Sequence, residues 1–252
     1  MVRSPVADSS SESGSDDCIR FASGLSTRRD ARDAADDLCD RIRARAGGID
    51  SFDLGLLHIT RDLVGQAEAI ERTVHERLGI GTLLTVSASG VVGGAMQVRE
   101  APGVSLLAGS LPGVDLHPFV VQDIPRPPES AGPEWGREHI APVLGLDRDD
   151  ARAVVLFTDP YSVPLVRLLP LLGGARPDAG VPILGGVASS GRAPGQNVLG
   201  LNGGLMNVGG VGVTLSGAIE VDTAVSQGCL GFGPTMVVTK CRGNVLLELG
   251  GR

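Results

Sequence analysis

The sequence is short of aromatic residues and of lysine, and both shortages limit what the chain can be. Only 3% of its 252 residues are aromatic, and Lys240 is the one lysine among 22 basic residues. The formal net charge is -7, and no basic stripe interrupts the acidic background. Because nucleic acids and anionic membranes are bound through clustered positive charge, we expect neither of them as a partner.

Patterns of metal binding and of membrane insertion are also missing. The four cysteines, Cys18, Cys39, Cys229 and Cys241, form no CxxC pair, and none has a histidine at metal-ligand spacing. No segment approaches the run of about 18 apolar residues that a transmembrane helix needs, and the polar start lacks the apolar stretch of a secretory signal. We therefore predict a cytoplasmic protein with free thiols and no metal.

Signatures of nucleotide binding and of serine hydrolysis are absent as well. No GxxxxGK[ST] loop occurs, and no GxGxxG lies between a strand and a helix, so we expect no cofactor. A catalytic triad would combine Ser189 or Ser190 with His58 or His117 and Asp159, but the GxSxG nucleophile elbow is missing. These residues therefore favour a protein that is not an enzyme.

Glycine and small aliphatic residues are plentiful instead. The chain has 37 glycines and 42% apolar residues, a composition that suits thin, closely packed layers with tight turns. Residues 1–17 are acidic and Ser-rich and predict a disordered tail. The Pro-rich stretch 124–135 predicts a linker between two internal halves, at about 18–123 and 151–250, of one domain that spans 18–252.

The two halves carry similar segments in the same order. The matched pairs are DLGLLHIT (53–60) with AVVLFTDP (153–160), SASG (87–90) with ASSG (188–191), and LLAGSLPGVD (106–115) with TLSGAIEVD (214–222) after one gap. These matches indicate a diverged duplication of a β-α-β-β-β unit. Two such sheets packed face to face, each with helices on its outer side, predict an α+β fold of the four-layer αββα sandwich type.

Local patterns predict individual elements of the first half. Apolar residues recur every three or four positions after Ser26 and Thr27, either of which can cap a helix there. A second amphipathic helix ends at Gly79. The segments GVSLLAGSL and VDLHPFVVQ predict two paired antiparallel strands joined near Pro112 and Gly113.

A cysteine stands among glycines in the stretch VSQGCLGFGP, residues 225–234. No cation lies in this stretch to lower the pKa of the Cys229 thiol, whereas backbone N–H groups at the flanking glycines can form an anion-binding nest. Three interpretations stay open: a small buried thiol at a tight turn, a thiol that lines a ligand site, and a nucleophile.

Several motifs of the second half occur together in a known order. They are FTDPYS (157–162), VPILGGVASSG (181–191), GGVGVTLSG (209–217), VSQGC (225–229) and VTKCRGNVLLELGG (238–251). In this order they resemble the FIST domain, named for F-box and intracellular signal transduction proteins. The first half, with GLLHIT, ASGVVGG and PGVSLLAGSLPGV, is similar to the N-terminal module of that family, so the resemblance covers residues 19–251.

The resemblance implies a sensory module that binds amino acids or related metabolites and acts on signalling proteins or ubiquitin-ligase adaptors. In the family this module is normally followed by a C-terminal FIST module, which, with other signalling proteins, is the macromolecular partner implied. The family usually continues VSQGC with Arg-Pro, whereas this chain has Leu230 and Gly231. Arginine is suited to binding a carboxylate. If the family's arginine holds a ligand carboxylate, this chain lacks that contact.

Together these patterns predict a non-catalytic module that senses a small ligand or takes part in signalling interactions. Backbone N–H groups and serine hydroxyls would supply the polar contacts of its site. The predicted ligand-binding residues are Ser87, Ser89, Gly90, Gly185, Gly186, Ser189, Ser190, Gln227, Gly228 and Cys229. Two alternatives remain: a hydrolase or transferase with Cys229 or Ser189 as nucleophile, and a structural half-protein that pairs with another chain.

Overall fold

The structure is a computed structural model that describes residues 18–175, 181–224, 231, 233–243 and 245–252. The chain divides into two compact units, the first ending at Val221 and the second covering Asp222–Arg252. Within the described residues, no helix is both long enough and apolar enough to cross a membrane.

The first unit holds twelve of the described strands and all of the described helices. Its strands are β1 (Arg20–Ser26), β2 (Phe52–Thr60), β3 (Ile80–Ala88), β4 (Gly90–Gly93), β5 (Met96–Arg99), β6 (Val104–Ser110), β7 (Val114–Val120), β8 (Ala151–Thr158), β9 (Ile183–Val187), β10 (Leu199–Leu201), β11 (Gly204–Met206) and β12 (Gly210–Gly217). Its α-helices are α1 (Ala31–Arg45), α2 (Ala67–Leu78), α3 (Pro133–His139), α4 (Ala141–Leu144) and α5 (Leu165–Gly174), and short 3-10 helices cover Arg61–Gln66 and Val121–Asp123. In the second unit, β13 (Val238–Arg242) and β14 (Val245–Leu249) pair as an antiparallel hairpin.

Two large sheets share one local arrangement. The first has the strand order β1-β6-β2-β3-β10-β11, and the second has the order β7-β12-β8-β9. In the first sheet β2 and β3 are parallel, and α2 lies between them in the chain. In the second sheet β8 and β9 are parallel, with α5 between them. A further strand, β6 or β12, runs antiparallel to the first strand of each pair, as a duplicated unit requires.

Three apolar clusters separate four layers. Leu38 of α1 and Ile70 of α2 pack with Leu83 of the first sheet, on its helix side. The next residue along β3, Leu84, points to the opposite face and packs with Val213 of the second sheet, as the alternation of side chains along a strand dictates. A third cluster joins α3, α4 and α5 to the outer face of the second sheet. These clusters confirm the predicted α+β sandwich with the layer order αββα.

The predicted pairing of the two strands around Pro112 and Gly113 is wrong. Strand β6 lies between β1 and β2, and both of its edges are already hydrogen-bonded. The turn therefore carries the chain to the second sheet, where β7 pairs with β12. Strands β10 and β11, from the second half of the sequence, join the first sheet next to β3. Each sheet thus contains strands from both halves.

Helix α1 is capped by Asp30 and not by the predicted Ser26 or Thr27. The Asp30 carboxylate accepts hydrogen bonds from the backbone N–H groups of Arg32, at 2.9 Å, and Asp33, at 3.2 Å. Ser26 cannot serve because it is still the last residue of β1. The predicted end of α2 is confirmed, since Gly79 adopts the left-handed conformation with φ of 60°.

The Pro-rich segment connects the halves but does not act as a free linker. Ile124, Ala131 and Trp135 pack against the apolar cluster under α5, and the Trp135 ring stacks on His139 with centroids 4.7 Å apart. Its apolar side chains therefore fix this segment on the second sheet's helix layer.

Candidate functional site

The two Ser/Gly turns that were matched in the sequence touch each other. One begins with the last two residues of β3 and the other follows β9, so each lies at the end of the second strand of a parallel pair. The backbone N–H of Ser189 donates to the carbonyl of Ser87 at 3.0 Å. In return, the backbone N–H of Ser89 donates to Ser189 Oγ at 3.1 Å. The fold thus joins two segments that lie about a hundred positions apart.

Two of the predicted serines are buried where these turns meet. Ser87 and Ser190 are each 1% exposed, and their hydroxyl oxygens lie 2.8 Å apart. Ser87 Oγ also accepts from the backbone N–H of Val198 at 2.8 Å, and the Arg61 guanidinium donates to the carbonyl of Ser190. Both hydroxyls therefore hold the turns together from inside, whereas Ser89 and Ser189 are exposed and Gly90 is half-buried.

Asn197 and Asp159 extend this contact into the core. Both side chains are 0% exposed. Asn197 Oδ1 accepts from the backbone N–H of Gly191 at 2.6 Å and lies 3.2 Å from Ser190 Oγ. Asn197 Nδ2 donates to Asp159 Oδ1 at 2.8 Å. An unpaired buried carboxylate is strongly unfavourable. The hydrogen bond from Asn197 therefore stabilises the buried Asp159 carboxylate.

Ser162 completes the series of contacts and brings it to the surface. Its hydroxyl donates to Asp159 Oδ2 at 2.7 Å and accepts from the backbone N–H of Gly209 at 2.8 Å. We call Ser87, Ser190, Asn197, Asp159 and Ser162 the polar network. It runs from the contact between the two turns, through the buried side chains, to an exposed serine.

Ser162 lines a cavity of about 480 Å³, which we call the arginine cavity. Its walls come from the 3-10 helix at Val121–Asp123, the Pro-rich segment that follows, the start of α5, and the backbone at Val208–Gly209. Most of the lining is apolar, and Arg126 and Arg167 stand at its edge as exposed cations. An apolar cavity of this size with a few polar groups is typical of small-molecule sites, which measure about 300–1,000 Å³.

The two predicted glycines of β9 precede the second Ser/Gly turn. Gly185 and Gly186 are exposed and line a smaller groove of about 200 Å³ against α5. Gly185 has a φ of 133°, and a Cβ atom there would lie 1.9 Å from the carbonyl oxygen of Leu156. Glycine, which has no Cβ atom, is therefore required at this position for β9 to pair with β8. The other three predicted residues, Gln227, Gly228 and Cys229, lie outside the described residues.

The residues considered for a catalytic triad make other contacts. His58 packs edge-on against Phe157 with ring centroids 5.6 Å apart, and burial lowers its pKa. His117 Nε2 lies 3.0 Å from the carbonyl oxygen of Val143. In the part of the chain that the structure describes, neither Ser189 nor Ser190 has a hydrogen bond to a histidine, so these residues do not assemble into a triad.

Sequence reasoning named Ser87, Ser190 and Asp159, but it missed Asn197, Ser162 and the arginine cavity. Ser162 carries a weak signal, because an Asp followed three residues later by a Ser after a strand is typical of a side-chain-stabilised turn. Asn197, Arg126 and Arg167 carry none, since their roles depend on segments brought together only by the fold.

Comparison with known proteins identifies the family of this chain. Residues 53–252 match the FIST N domain family. An uncharacterized protein of Mycobacterium tuberculosis is 31% identical over 236 residues, which cover 93% of this chain and 57% of that protein. An uncharacterized protein of Mycobacterium bovis is 28% identical over 234 residues, with the same coverage. The chain thus spans 57% of the length of these curated relatives. Since the family match extends over most of the sequence, the chain belongs to the FIST N domain family.

Proposed function

We propose that this chain is a non-catalytic, cytoplasmic sensing module that binds a small carboxylate-bearing metabolite, such as an amino acid, in the arginine cavity. The observation that carries the proposal is an apolar cavity of about 480 Å³ with two arginines at its edge and one hydroxyl of the polar network in its wall. A FIST N domain is suited to this role because the family is associated with sensing.

The charge of the lining favours a carboxylate. Guanidinium groups bind carboxylates through paired, charge-assisted hydrogen bonds. Among the described residues, Arg167 donates one hydrogen bond, of 3.3 Å, to the carbonyl oxygen of Pro128, and a guanidinium carries five N–H donors.

The polar network offers a route from the cavity to the Ser/Gly turns. A ligand that contacts Ser162 would change the hydrogen bonding of Asp159 and, through Asn197, the seating of Ser190 against Ser87. We propose that the exposed Ser89 and Ser189 pass this change to a partner, either a C-terminal FIST module or another signalling protein.

The test is a thermal-unfolding screen of the purified chain against free amino acids and small mono- and dicarboxylates. A ligand at about 100 times its Kd stabilises the folded state by about 2.7 kcal/mol, which is readily measured as a rise in Tm. We expect Arg167→Gln to remove most of that rise, because it deletes the guanidinium and preserves the polar character of the side chain.

Arg29→Gln is the matched control, because Arg29 is an exposed arginine near the start of α1 and outside the cavity. Its ligand response should equal that of the unmodified chain. Equal responses from Arg126→Gln, Arg167→Gln and Arg29→Gln would contradict the proposed site. The absence of any carboxylate-dependent rise in Tm would contradict the proposed ligand class.

A further inference from the structure

A second pocket, of opposite charge, lies between α2 and the β10–β11 turn. Its volume is about 210 Å³, and we call it the Glu71 pocket. Glu68, Glu71 and His75 line it from α2, where spacings of three and four residues place side chains on one helix face. The backbone at Asn202–Gly203 forms the opposite wall, and Glu76 and Arg72 complete the lining.

The Glu71 carboxylate is buried with one oxygen unpaired. The residue is 1% exposed. Its Oε1 accepts from the backbone N–H of Gly203 at 3.0 Å, whereas Oε2 has no hydrogen-bond partner among the described residues. The Thr85 hydroxyl is near enough to influence this carboxylate but does not reach hydrogen-bonding geometry with it. Buried carboxylate oxygens are rarely left without a donor.

Glu71 Oε2 has no hydrogen-bonded cation among the described residues. Burial raises the pKa of Glu71, and the Gly203 amide, the Thr85 hydroxyl and the charge of His75 offset only part of that rise. The Arg72 side chain is 62% exposed, and its Nη1 lies 3.9 Å from Glu68 Oε1. Its charge therefore lies at the rim of the Glu71 pocket. His75 Nδ1 is also buried without a hydrogen-bond partner in the described part of the chain.

We propose that the Glu71 pocket binds a small protonated primary amine whose ammonium group donates to Glu71 Oε2. An ammonium carries three N–H donors and a positive charge, which suit the unpartnered Glu71 Oε2. A metal ion fits less well, since no group of three or more His, Cys, Asp or Glu side chains with metal-binding geometry occurs among the described residues.

The test uses methylammonium chloride as the probe, at constant ionic strength, with backbone amide NMR shifts as the readout. We expect saturable shifts at Gly203 and Asn202. Tetramethylammonium has the same charge but no N–H donor, so it should leave these amides unchanged. Glu71→Gln should weaken methylammonium binding by at least about tenfold, because it removes the charged acceptor of a buried ion pair.

Glu129→Gln is the matched control, since it makes the same change of charge at an exposed glutamate outside this pocket. It should bind methylammonium like the unmodified chain. Equal shifts with tetramethylammonium, or an affinity of Glu71→Gln within about twofold of the unmodified chain, would overturn the proposal. If Glu71→Gln does not fold, the comparison of the two probes on the unmodified chain decides alone. The arginine cavity shares no lining residue with this pocket, so either site can fail independently.

Discussion

Buried polar side chains hold the two Ser/Gly turns together at the residue scale. Ser87, Ser190, Asn197 and Asp159 are at most 1% exposed, and each makes at least one hydrogen bond to another residue of the polar network. Satisfied networks of this kind favour one arrangement of a core, because any alternative leaves buried groups unpaired. The buried serines therefore position the turns, and the exposed Ser89 and Ser189 are the accessible hydroxyls of these turns.

The raised pKa of Glu71 predicts a pH-dependent stability. Between its ordinary pKa of 4.5 and its raised value, the folded state binds more protons at Glu71 than the unfolded state does. Stability therefore falls as the pH rises through this interval, and the loss is complete above the raised pKa. Glu71→Gln removes the charge, so we expect its Tm relative to the unmodified chain to be higher at about pH 8 than at about pH 4.

Thermal unfolding of both proteins across this pH range measures the effect. Glu129→Gln, at an exposed position, should show a nearly constant difference from the unmodified chain. A difference for Glu71→Gln that is equally constant with pH would show that the Glu71 carboxylate is ionised at no cost in the folded protein.

At the scale of the elements, each parallel strand pair and its crossover helix place a turn at the carboxyl end of a strand. Such ends are where open α/β sheets usually bind ligands. Here the end of β3 contacts the end of β9 through the hydrogen bond between Ser87 and Ser189. The polar network connects this contact to the arginine cavity. A duplicated unit, as the sequence predicts, places similar turns at equivalent strand ends.

Strand β9 contains a pair of adjacent glycines that makes a matched test. Gly185→Ala would place a Cβ 1.9 Å from the Leu156 carbonyl oxygen at a φ of 133°, whereas a Cβ at Gly186 would meet nothing within 4 Å. We expect Gly185→Ala to lower the free energy of unfolding by more than about 3 kcal/mol. Gly186→Ala should change it by less than about 1 kcal/mol.

Urea-induced unfolding of the two variants measures both values. The two variants should also differ in β9 pairing, which amide hydrogen exchange reports. Similar losses in both variants would mean that β9 does not require the backbone conformation found at Gly185.

At the scale of the whole molecule, the large apolar clusters belong to the first unit. Every described residue of these clusters lies before Val221, and both large sheets are complete without β13 and β14. The second unit contributes a two-stranded hairpin, with Val238 and Leu246 about half exposed. Isolated hairpins are marginally stable in water.

We therefore expect a chain that ends at Val221 to keep cooperative thermal unfolding. Its Tm should differ from that of the 252-residue chain by less than about 4 °C, which corresponds to about 1 kcal/mol in a protein of this size. Calorimetry with circular dichroism measures both quantities. A broad, non-cooperative transition would show that the sandwich depends on residues 222–252.

The sequence by itself determined the local elements and their repetition. Apolar spacing predicted α1 and α2, and Gly79 ends α2 as predicted, because helix periodicity and left-handed caps depend on neighbouring residues. The matches of DLGLLHIT with AVVLFTDP and of SASG with ASSG predicted the duplicated unit and its four layers. These features follow from the pattern of side chains within short segments, so they can be predicted without knowing which segments pack together.

Only the tertiary structure decided which strands share a sheet and which polar groups meet. The turn at Pro112 and Gly113 changes sheets because both edges of β6 are occupied. Ser190 meets Ser87 across 103 positions, and Glu71 meets Gly203 across 132. Edge pairing and the burial of polar groups depend on contacts between distant segments, so the polar network, the arginine cavity and the Glu71 pocket exist only in the folded chain.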